Sequence, residues 1–263
     1  MQTIPTSGSR RLLVGRRRLI TLAAVGLGGF VAACRGGGGS QPGVREATTP
    51  SPQAGSPPRT AEAGTPAPTA VAGEPQCLVT KVQGLNPGYV PNDLAPLPAR
   101  VLAGNNVQLR RNAADAVVKL IDAAGTDAQS LFVLSGFRSF QEQEQILQEE
   151  ERLYGKSVAA NQVAPAGHSE HQLGLAADIT SKRAPYDLAA EFGQWPEGRW
   201  LADNAARFGF VISYPQGKEA VTGYTYEPWH IRFVGLQLAE QVMASGLTLT
   251  EFLPKYNMTA SCP

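Results

Sequence analysis

A long stretch without aromatic residues divides this chain into two parts of different character. Residues 35–75 consist mainly of Gly, Pro, Ala, Ser and Thr, and Val44 and Val71 are their only larger aliphatic residues. Such a segment cannot bury enough apolar surface to offset the entropy cost of ordering it. We therefore expect a disordered linker over 34–75 and one folded unit over 76–263, which contains all the Trp and Tyr residues and every Phe except Phe30.

The first 33 residues have the order of an export signal. Five arginines and no acidic residue accompany an apolar run over 19–33, and roughly 15 residues are fewer than the ~20 that a membrane-spanning helix needs. The run ends in Val-Ala-Ala before Cys34, which resembles the bacterial lipobox, so we expect a signal peptide over 1–33 and lipidation of Cys34. An ordinary signal peptide with an incidental cysteine is the alternative. Arg16 and Arg17 also resemble a twin-arginine signal, so the export route stays open.

The signal peptide and the lipidated cysteine predict an extracytoplasmic protein that is anchored to the bacterial cell membrane by its lipid alone. The charge balance argues against nucleic-acid binding. The chain has a net charge of only +1, and residues 76–263 contain 15 Lys and Arg against 19 Asp and Glu. A surface for binding phosphate backbones needs a strong basic field, which this balance does not provide.

The hydrophobic pattern predicts short strands interspersed with helices. Because the strands lack regular β-α-β spacing, we expect an α+β fold, a single compact domain with a small mixed or antiparallel sheet flanked by helices. Ser139 is the expected N-cap of one helix. The predicted helices cover 107–124, 140–153, 199–208, 235–244 and 247–253, and the predicted strands cover 131–134, 175–179, 210–213 and 229–234.

Cysteine and histidine counts limit the possible metal sites. The three cysteines form no C-x-x-C pair, so any metal must be held by His, Asp or Glu, and the only histidines are His168, His171 and His230. Cys77 and Cys262 lie at the two ends of the folded unit, and in an exported protein we expect them to form a disulfide. Two unpaired thiols are the alternative.

An aspartate within an apolar strand is the first candidate for chemistry. Asp178 follows His171 by seven residues and is flanked by Ala and Ile. Because a buried carboxylate without a partner is costly, Asp178 should meet a metal, a cation or several hydrogen-bond donors. An ion pair with Arg138 is the purely structural alternative.

Glu227 and His230 form the second candidate. Pro228 disfavours a helix at Glu227, which excludes the helical zinc-protease motif. We expect an extended chain with a turn, in which a kink near Pro228 lets both side chains face one cavity. His230 and Arg232 are expected to face the site, whereas Ile231 and Phe233, which alternate with them, are expected to face the core.

These segments resemble, in sequence order, the signatures of the VanY-type D-alanyl-D-alanine carboxypeptidases, zinc peptidases of bacterial cell-wall metabolism. The segments are Ser-Gly-Phe-Arg-Ser at 135–139, Ser-Glu-His at 169–171 through Asp178, and Glu-Pro-Trp-His at 227–230. The resemblance covers nearly all of 77–240. It departs from the pattern at Phe137 and Phe140, where tyrosine is common, and at His168, which either supports the site or is a solvated loop residue.

The resemblance implies one catalytic Zn²⁺ bound by His171, Asp178 and His230, with a water in the fourth position. It implies that Glu227 is the general base and acid. Arg138 would stabilise the developing oxyanion, or else anchor Asp178 or the substrate carboxylate.

The resemblance also implies the substrate, which would be peptidoglycan stem peptides ending in D-Ala. Ser169 and Gln143 are candidates to hydrogen-bond the peptide, and Tyr226 or Trp229 to line the pocket. L,D-carboxypeptidase or D,D-dipeptidase specificity on the same scaffold is the enzymatic alternative, and a non-catalytic cell-wall-binding lipoprotein is the alternative of another class. We expect a monomer.

Overall fold

The computed structural model describes residues 77–104, 106–185 and 187–263. The predicted signal peptide, the lipidation of Cys34 and the linker lie outside the described residues and stay predictions. Within the described ranges, no helix has both the length and the apolar character to cross a membrane.

A four-stranded antiparallel sheet forms the centre of the fold, in the order β3-β4-β6-β5, and β1 and β2 form a separate antiparallel pair. The predicted α+β class with a small sheet is therefore confirmed. The strands are β1 (Leu94–Pro96), β2 (Gln108–Arg110), β3 (Leu131–Ser135), β4 (Ala176–Ser181), β5 (Phe210–Ile212) and β6 (His230–Phe233).

Seven α-helices surround the sheet in the described part of the chain. Ser139 caps α2 as predicted, because its hydroxyl accepts a hydrogen bond from the Glu142 amide and the Glu142 carboxylate accepts one from the Ser139 amide. The helices are α1 (Arg111–Thr126), α2 (Phe140–Tyr154), α3 (Lys156–Gln162), α4 (Pro196–Asn204), α5 (Glu219–Thr222), α6 (Leu236–Ser245) and α7 (Leu249–Lys255), with 3₁₀ helices at Ala99–Val101, Glu170–Leu173, Ala190–Gln194 and Ala205–Phe208.

Two predicted helix boundaries were wrong. The helix expected from Val107 begins at Arg111, because 108–110 pairs with β1 and Arg110 has an extended backbone. The helix expected over 199–208 begins at Pro196. Proline suits the first turn of a helix because it lacks a backbone N–H, and the N–H groups there have no partner within the helix. After Asn204 that helix tightens into a 3₁₀ turn. Both differences depend on neighbours that are distant in sequence or on turn geometry.

The main core lies between α1 and the sheet. Leu120 of α1 and Ile179 and Ile231 of the central strands are fully buried there. A second apolar cluster around Leu238 packs α6 and α7 against β5. Burying each such side chain stabilises the fold by about 1.5–3 kcal/mol, so the main core stabilises the positions of β4 and β6 through residues such as Ile179 and Ile231.

The described chain is closed at its two ends by a disulfide. Cys77 and Cys262 are bonded as predicted, and Cys77 also pairs with Ala260 in an isolated β-bridge. The bond therefore connects the beginning of the folded unit to its last residues.

Candidate metal centre

Two of the predicted metal ligands face each other across adjacent strands. Asp178 of β4 is the direct antiparallel partner of His230 of β6. Directly opposed residues project from the same face of a sheet. As a result, Oδ1 of Asp178 lies 3.2 Å from Nδ1 of His230 although 52 residues separate them in the chain.

The third ligand comes from a short helix that leads into β4. His171 lies in the 3₁₀ helix at Glu170–Leu173, and the Ser169 hydroxyl caps this helix by accepting a hydrogen bond from the His171 amide at 3.3 Å. Gly174 ends the helix in a left-handed conformation, with φ of 68°. This positive φ favours glycine and turns the chain directly into the strand that carries Asp178.

The imidazole of His171 is oriented by a backbone carbonyl. Its Nδ1 lies 2.7 Å from the Gly136 oxygen, and its Nε2 lies 3.3 Å from Oδ2 of Asp178. Nδ1 is therefore the donor to Gly136, which leaves Nε2 to face the cluster. Gly136 also packs closely against residues 107–108, which requires glycine because an added Cβ would lie 2.7 Å from the Gln108 oxygen.

The side chains of His171, Asp178 and His230 form one buried cluster whose candidate ligand atoms lie within 4.8 Å of one another. Two imidazole nitrogens and one carboxylate are ligands that Zn²⁺ favours, and three protein ligands are typical of catalytic zinc sites. The residues present thus fit the metal that the sequence resemblance implies.

Electrostatic coupling within the cluster is strong. Burial alone would raise the pKa of Asp178, but the charges and hydrogen bonds of the two histidines hold it well below its ordinary value. Burial lowers the pKa of His171. Burial also opposes a charge on His230, yet its hydrogen bonds to Asp178 and Glu170 raise its pKa to about 10. Asp178 is therefore an anion that attracts a cation, either a proton or a metal.

Glu227 is buried in the turn that leads into β6. Its amide donates to the Tyr214 oxygen at 3.0 Å, and its own carbonyl accepts from the His230 amide at 3.1 Å. The Tyr214 ring packs 4.9 Å from the His230 ring. Burial, and with it the charges of Glu170 and Glu227, holds the pKa of Tyr214 well above its ordinary value. The expected turn before His230 is present, and Glu227 lies near Tyr214, whose ring packs against His230.

Arg138 lies at the edge of the cluster and is held by Gln143. Its Nη2 is 3.9 Å from Oδ2 of Asp178 and 3.3 Å from the Ser135 hydroxyl. Its Nη1 donates to Oε1 of Gln143 at 2.8 Å, while Nε2 of Gln143 donates to the Ala164 oxygen at 2.7 Å. Both ends of the Gln143 amide are thus engaged by the protein, which makes Gln143 a support for Arg138, and its predicted contact to the substrate peptide stays a prediction.

The other predicted site residues lie at different positions relative to the cluster. Ser169 is beside the cluster, as the cap described above. Trp229 is only 5% exposed and packs in the main core, and its predicted contribution to the pocket stays a prediction. The Tyr226 hydroxyl packs against Gly193. His168 is outside the cluster, because its Nδ1 hydrogen-bonds the Thr80 oxygen at 2.8 Å.

Glu170 was not predicted from the sequence. Its carboxylate is 4% exposed and contacts Nε2 of His230 at 2.9 Å, the Ser213 hydroxyl at 2.6 Å and Nη1 of Arg232 at 3.4 Å. Burial alone would raise the pKa of Glu170, but these partners lower it to about 2. The available signal was the charge of Arg232 within an apolar strand, since a buried cation requires a buried anion.

This α+β domain gathers two histidines and an aspartate into one buried cluster beside its sheet, with a buried glutamate in the turn before the last histidine, an arrangement suited to binding a metal ion. The chain belongs to the VanY family: the family model described as D-alanyl-D-alanine carboxypeptidase matches residues 106–236, and a solved VanY relative, VanYB, is 33% identical over nearly its whole length. That match contains all three members of the cluster and Glu227.

Curated relatives agree with this family. The Bacillus subtilis protein YodJ is 40% identical over 181 residues, which are 68% of this chain and 66% of YodJ. The D-alanyl-D-alanine carboxypeptidase of Enterococcus faecium is 33% identical over 153 residues, which are 58% of this chain and 46% of that protein. The chain therefore spans about half to two thirds of the length of these relatives.

Solved structures extend the likeness to the fold. The LdcB LD-carboxypeptidase is 38% identical, with a TM-score of 0.63 over 70% of this chain and 86% of LdcB. VanYB in complex with D-alanine-D-alanine is 33% identical, with a TM-score of 0.59 over 68% of this chain and 97% of VanYB. A mutant of a vancomycin resistance D,D-pentapeptidase VanY in complex with Zn(II) is 33% identical, with a TM-score of 0.58 over 68% of this chain and 98% of that chain.

Proposed function

We propose that this protein is a zinc-dependent D-alanyl-D-alanine carboxypeptidase that removes the terminal D-Ala from peptidoglycan stem peptides. The observation that carries the proposal is the buried convergence of His171, Asp178 and His230, with Glu227 buried in the adjoining turn. The zinc complex of a VanY relative and the D-Ala-D-Ala complex of VanYB support the choice of metal and substrate.

Zn²⁺ held by the three side chains would polarise the scissile carbonyl and lower the pKa of a water molecule. The protein contributes a fixed and buried ligand set. Because His171 is held by the Gly136 carbonyl and Asp178 by its place in the sheet, little reorganisation is needed when the metal binds.

Glu227 acts as general base and then as general acid in this proposal. Its carboxylate accepts a proton as water attacks the carbonyl carbon, and it delivers that proton to the D-alanine amine as the C–N bond breaks. The turn at 228–229 supports this role, since it brings Glu227 to the same end of β6 as His230.

Arg138 supplies the positive charge opposite the developing oxyanion. One such donor is typically worth roughly 3 to 4 kcal/mol of transition-state stabilisation. The hydrogen bond from Arg138 to Gln143 keeps the guanidinium in place beside the cluster. Ser169 and Gln143 remain the candidates for hydrogen bonds to the substrate peptide, and Tyr226 or Trp229 for lining the pocket.

The second candidate function is removal of the terminal residue from tetrapeptide stems by L,D-carboxypeptidase activity. It is favoured by the likeness to LdcB, whose identity and TM-score are somewhat higher than those of VanYB. The metal cluster and Glu227 serve either reaction, because the stereochemistry around the cleaved bond is selected by the pocket.

Alanine release from defined stem peptides tests the proposal. The purified, zinc-loaded protein is incubated with pentapeptide stems, tetrapeptide stems and free D-Ala-D-Ala, and released alanine is measured by mass spectrometry. Release from the pentapeptide supports the proposal. Release only from the tetrapeptide identifies an L,D-carboxypeptidase, and cleavage of the dipeptide alone a D,D-dipeptidase. A zinc-loaded protein that releases nothing and binds peptidoglycan would be a cell-wall-binding lipoprotein.

We further propose that the protein works outside the cytoplasmic membrane, attached by a lipid at Cys34. The basic and apolar order of residues 1–33 supports this location, which is also where the substrate is found. Labelled palmitate should be incorporated into the wild-type chain and not into Cys34→Ala. Equal labelling of both proteins would contradict the anchor.

A further inference from the structure

Glu170 is a buried charged residue that contacts a predicted metal ligand but has no part in the proposed reaction. Its Oε2 lies 2.9 Å from Nε2 of His230 and 2.6 Å from the Ser213 hydroxyl oxygen, and Oε1 faces Arg232 at 3.4 Å. A carboxylate is costly to bury unless its oxygens are paired. Here every one of these partners is a donor, so Glu170 remains an ionised acceptor.

The contact to Glu170 determines which nitrogen of His230 can bind a metal. A neutral imidazole carries one N–H donor and one lone pair, and the partner of the donor fixes the tautomer. With Nε2–H donated to Glu170, Nδ1 is the nitrogen that loses its proton when the ring becomes neutral, so the lone pair available to a metal is on Nδ1. Nδ1 is the nitrogen that faces Asp178 at 3.2 Å.

We propose that Glu170 is a positioning residue of the metal centre, which holds the His230 ring with Nδ1 directed at the metal. This inference rests on the proposed function, because it concerns the same zinc site. Arg232 and Ser213 complete the arrangement by keeping the Glu170 carboxylate in place.

Arg232 connects this arrangement to the end of the folded unit. The residue is 2% exposed, and besides Glu170 its guanidinium contacts the Phe233 oxygen at 3.2 Å and the Cys77 oxygen at 3.4 Å. Cys77 is fixed by its disulfide to Cys262. The carboxylate that orients His230 is therefore held by a guanidinium with contacts on two separate parts of the backbone.

The two histidines of the cluster are oriented in different ways. His171 donates to the neutral Gly136 carbonyl, whereas His230 donates to an ionised carboxylate. A carboxylate partner makes the opposite nitrogen more basic and a stronger metal ligand. Loss of such partners typically weakens metal affinity about 10–100-fold. The backbone partner of His171 cannot be removed by a side-chain substitution, but the partner of His230 can.

The test compares the zinc dissociation constants of the full-length wild type, Glu170→Gln and Glu170→Ala, measured by competition with a chromogenic chelator. We expect Glu170→Ala to bind zinc about 10–100-fold more weakly. Glu170→Gln should be intermediate, because its amide oxygen still accepts from Nε2 but carries no charge. The visible absorption spectrum of the cobalt-loaded Glu170→Ala protein should also shift, since the His230 ring is released.

Leu238→Ala is the matched control, because this fully buried residue of the second apolar cluster lowers stability without touching the site. It should keep the zinc affinity and the cobalt spectrum of the wild type. If Glu170→Ala does not fold, Glu170→Gln and Ser213→Ala decide the question, each with a loss of severalfold or more.

Wild-type affinity and spectrum in the Glu170 variants would overturn the positioning role. An equal loss of affinity in Leu238→Ala would overturn it as well, because the effect would then follow from stability alone. If the wild type itself bound no zinc, the proposed function would fail instead.

Discussion

Asp178 and His230 are directly opposed residues of antiparallel strands, and their side chains meet with Oδ1 and Nδ1 3.2 Å apart. A shift of one residue in the pairing of β4 with β6 would send one of the two side chains to the opposite face of the sheet. The convergence of the candidate ligands therefore depends on strand register, which the packing of Ile179 and Ile231 in the main core helps to fix.

Replacement of Glu227 by Ala should abolish turnover and leave zinc bound. The reason is that the three candidate ligands remain, whereas the group that accepts and delivers the proton is lost. General acid–base catalysis typically contributes about 10²–10⁴-fold to the rate, so kcat should fall by at least that range. Zinc content is measured by elemental analysis in parallel with alanine release. A zinc-free Glu227→Ala protein would mean that Glu227 is itself a ligand.

Replacement of His171 and replacement of His168 should have different effects on zinc binding. His171→Gln removes a member of the cluster and should lose zinc and all activity. His168→Gln is the matched control, because His168 contacts the Thr80 oxygen outside the cluster, and it should bind one zinc ion per chain. Equal zinc content in the two variants, determined by elemental analysis, would exclude the assigned site.

Zinc binding should release a proton and weaken as the pH falls. In the metal-free protein burial opposes the charge on His230, but the hydrogen bonds to Asp178 and Glu170 raise its pKa to about 10. Nδ1 is therefore protonated at neutral pH, and the metal must displace that proton. The apparent dissociation constant should rise about tenfold for each pH unit lowered between about 9 and 7. Chelator competition corrected for chelator protonation measures it, and a constant value would contradict the coupling.

The same raised pKa has a consequence for the metal-free protein. A histidine whose pKa is higher in the folded state stabilises that state fully below its unfolded pKa of about 6.5. This contribution should be lost as the pH rises towards 10. Denaturant unfolding of metal-free protein at several pH values should show this decline, and excess zinc should remove it because the metal replaces the proton.

Removal of the disulfide should destabilise the folded unit. Cys77 and Cys262 close a loop with a sequence separation of 185, and loss of a native disulfide typically costs about 2–5 kcal/mol. The double variant Cys77→Ala/Cys262→Ala should show that decrease in the free energy of unfolding. Cys34→Ala should unfold like the wild type, since its position precedes the folded unit. Identical unfolding curves for the double variant and the wild type would show that the bond contributes nothing.

The sequence was sufficient for those features that depend on local patterns. The capped helix after Ser139, the buried strand that carries Asp178 and the turn before His230 all follow from hydrophobic periodicity, capping chemistry and the position of Pro228. The candidate ligands were implied by the resemblance of the spaced motifs to the VanY-type carboxypeptidases, which the sequence alone was enough to show.

Tertiary structure decided which residues meet. Strand pairing cannot be derived from one strand alone, so the opposition of Asp178 to His230, and the start of α1 at Arg111 rather than at Val107, depended on neighbours that are distant in sequence. Glu170 and His230 are 60 residues apart, and only folding brings their side chains within 2.9 Å. Local patterns predict elements and candidate groups, whereas the contacts between elements determine which of those groups become a site.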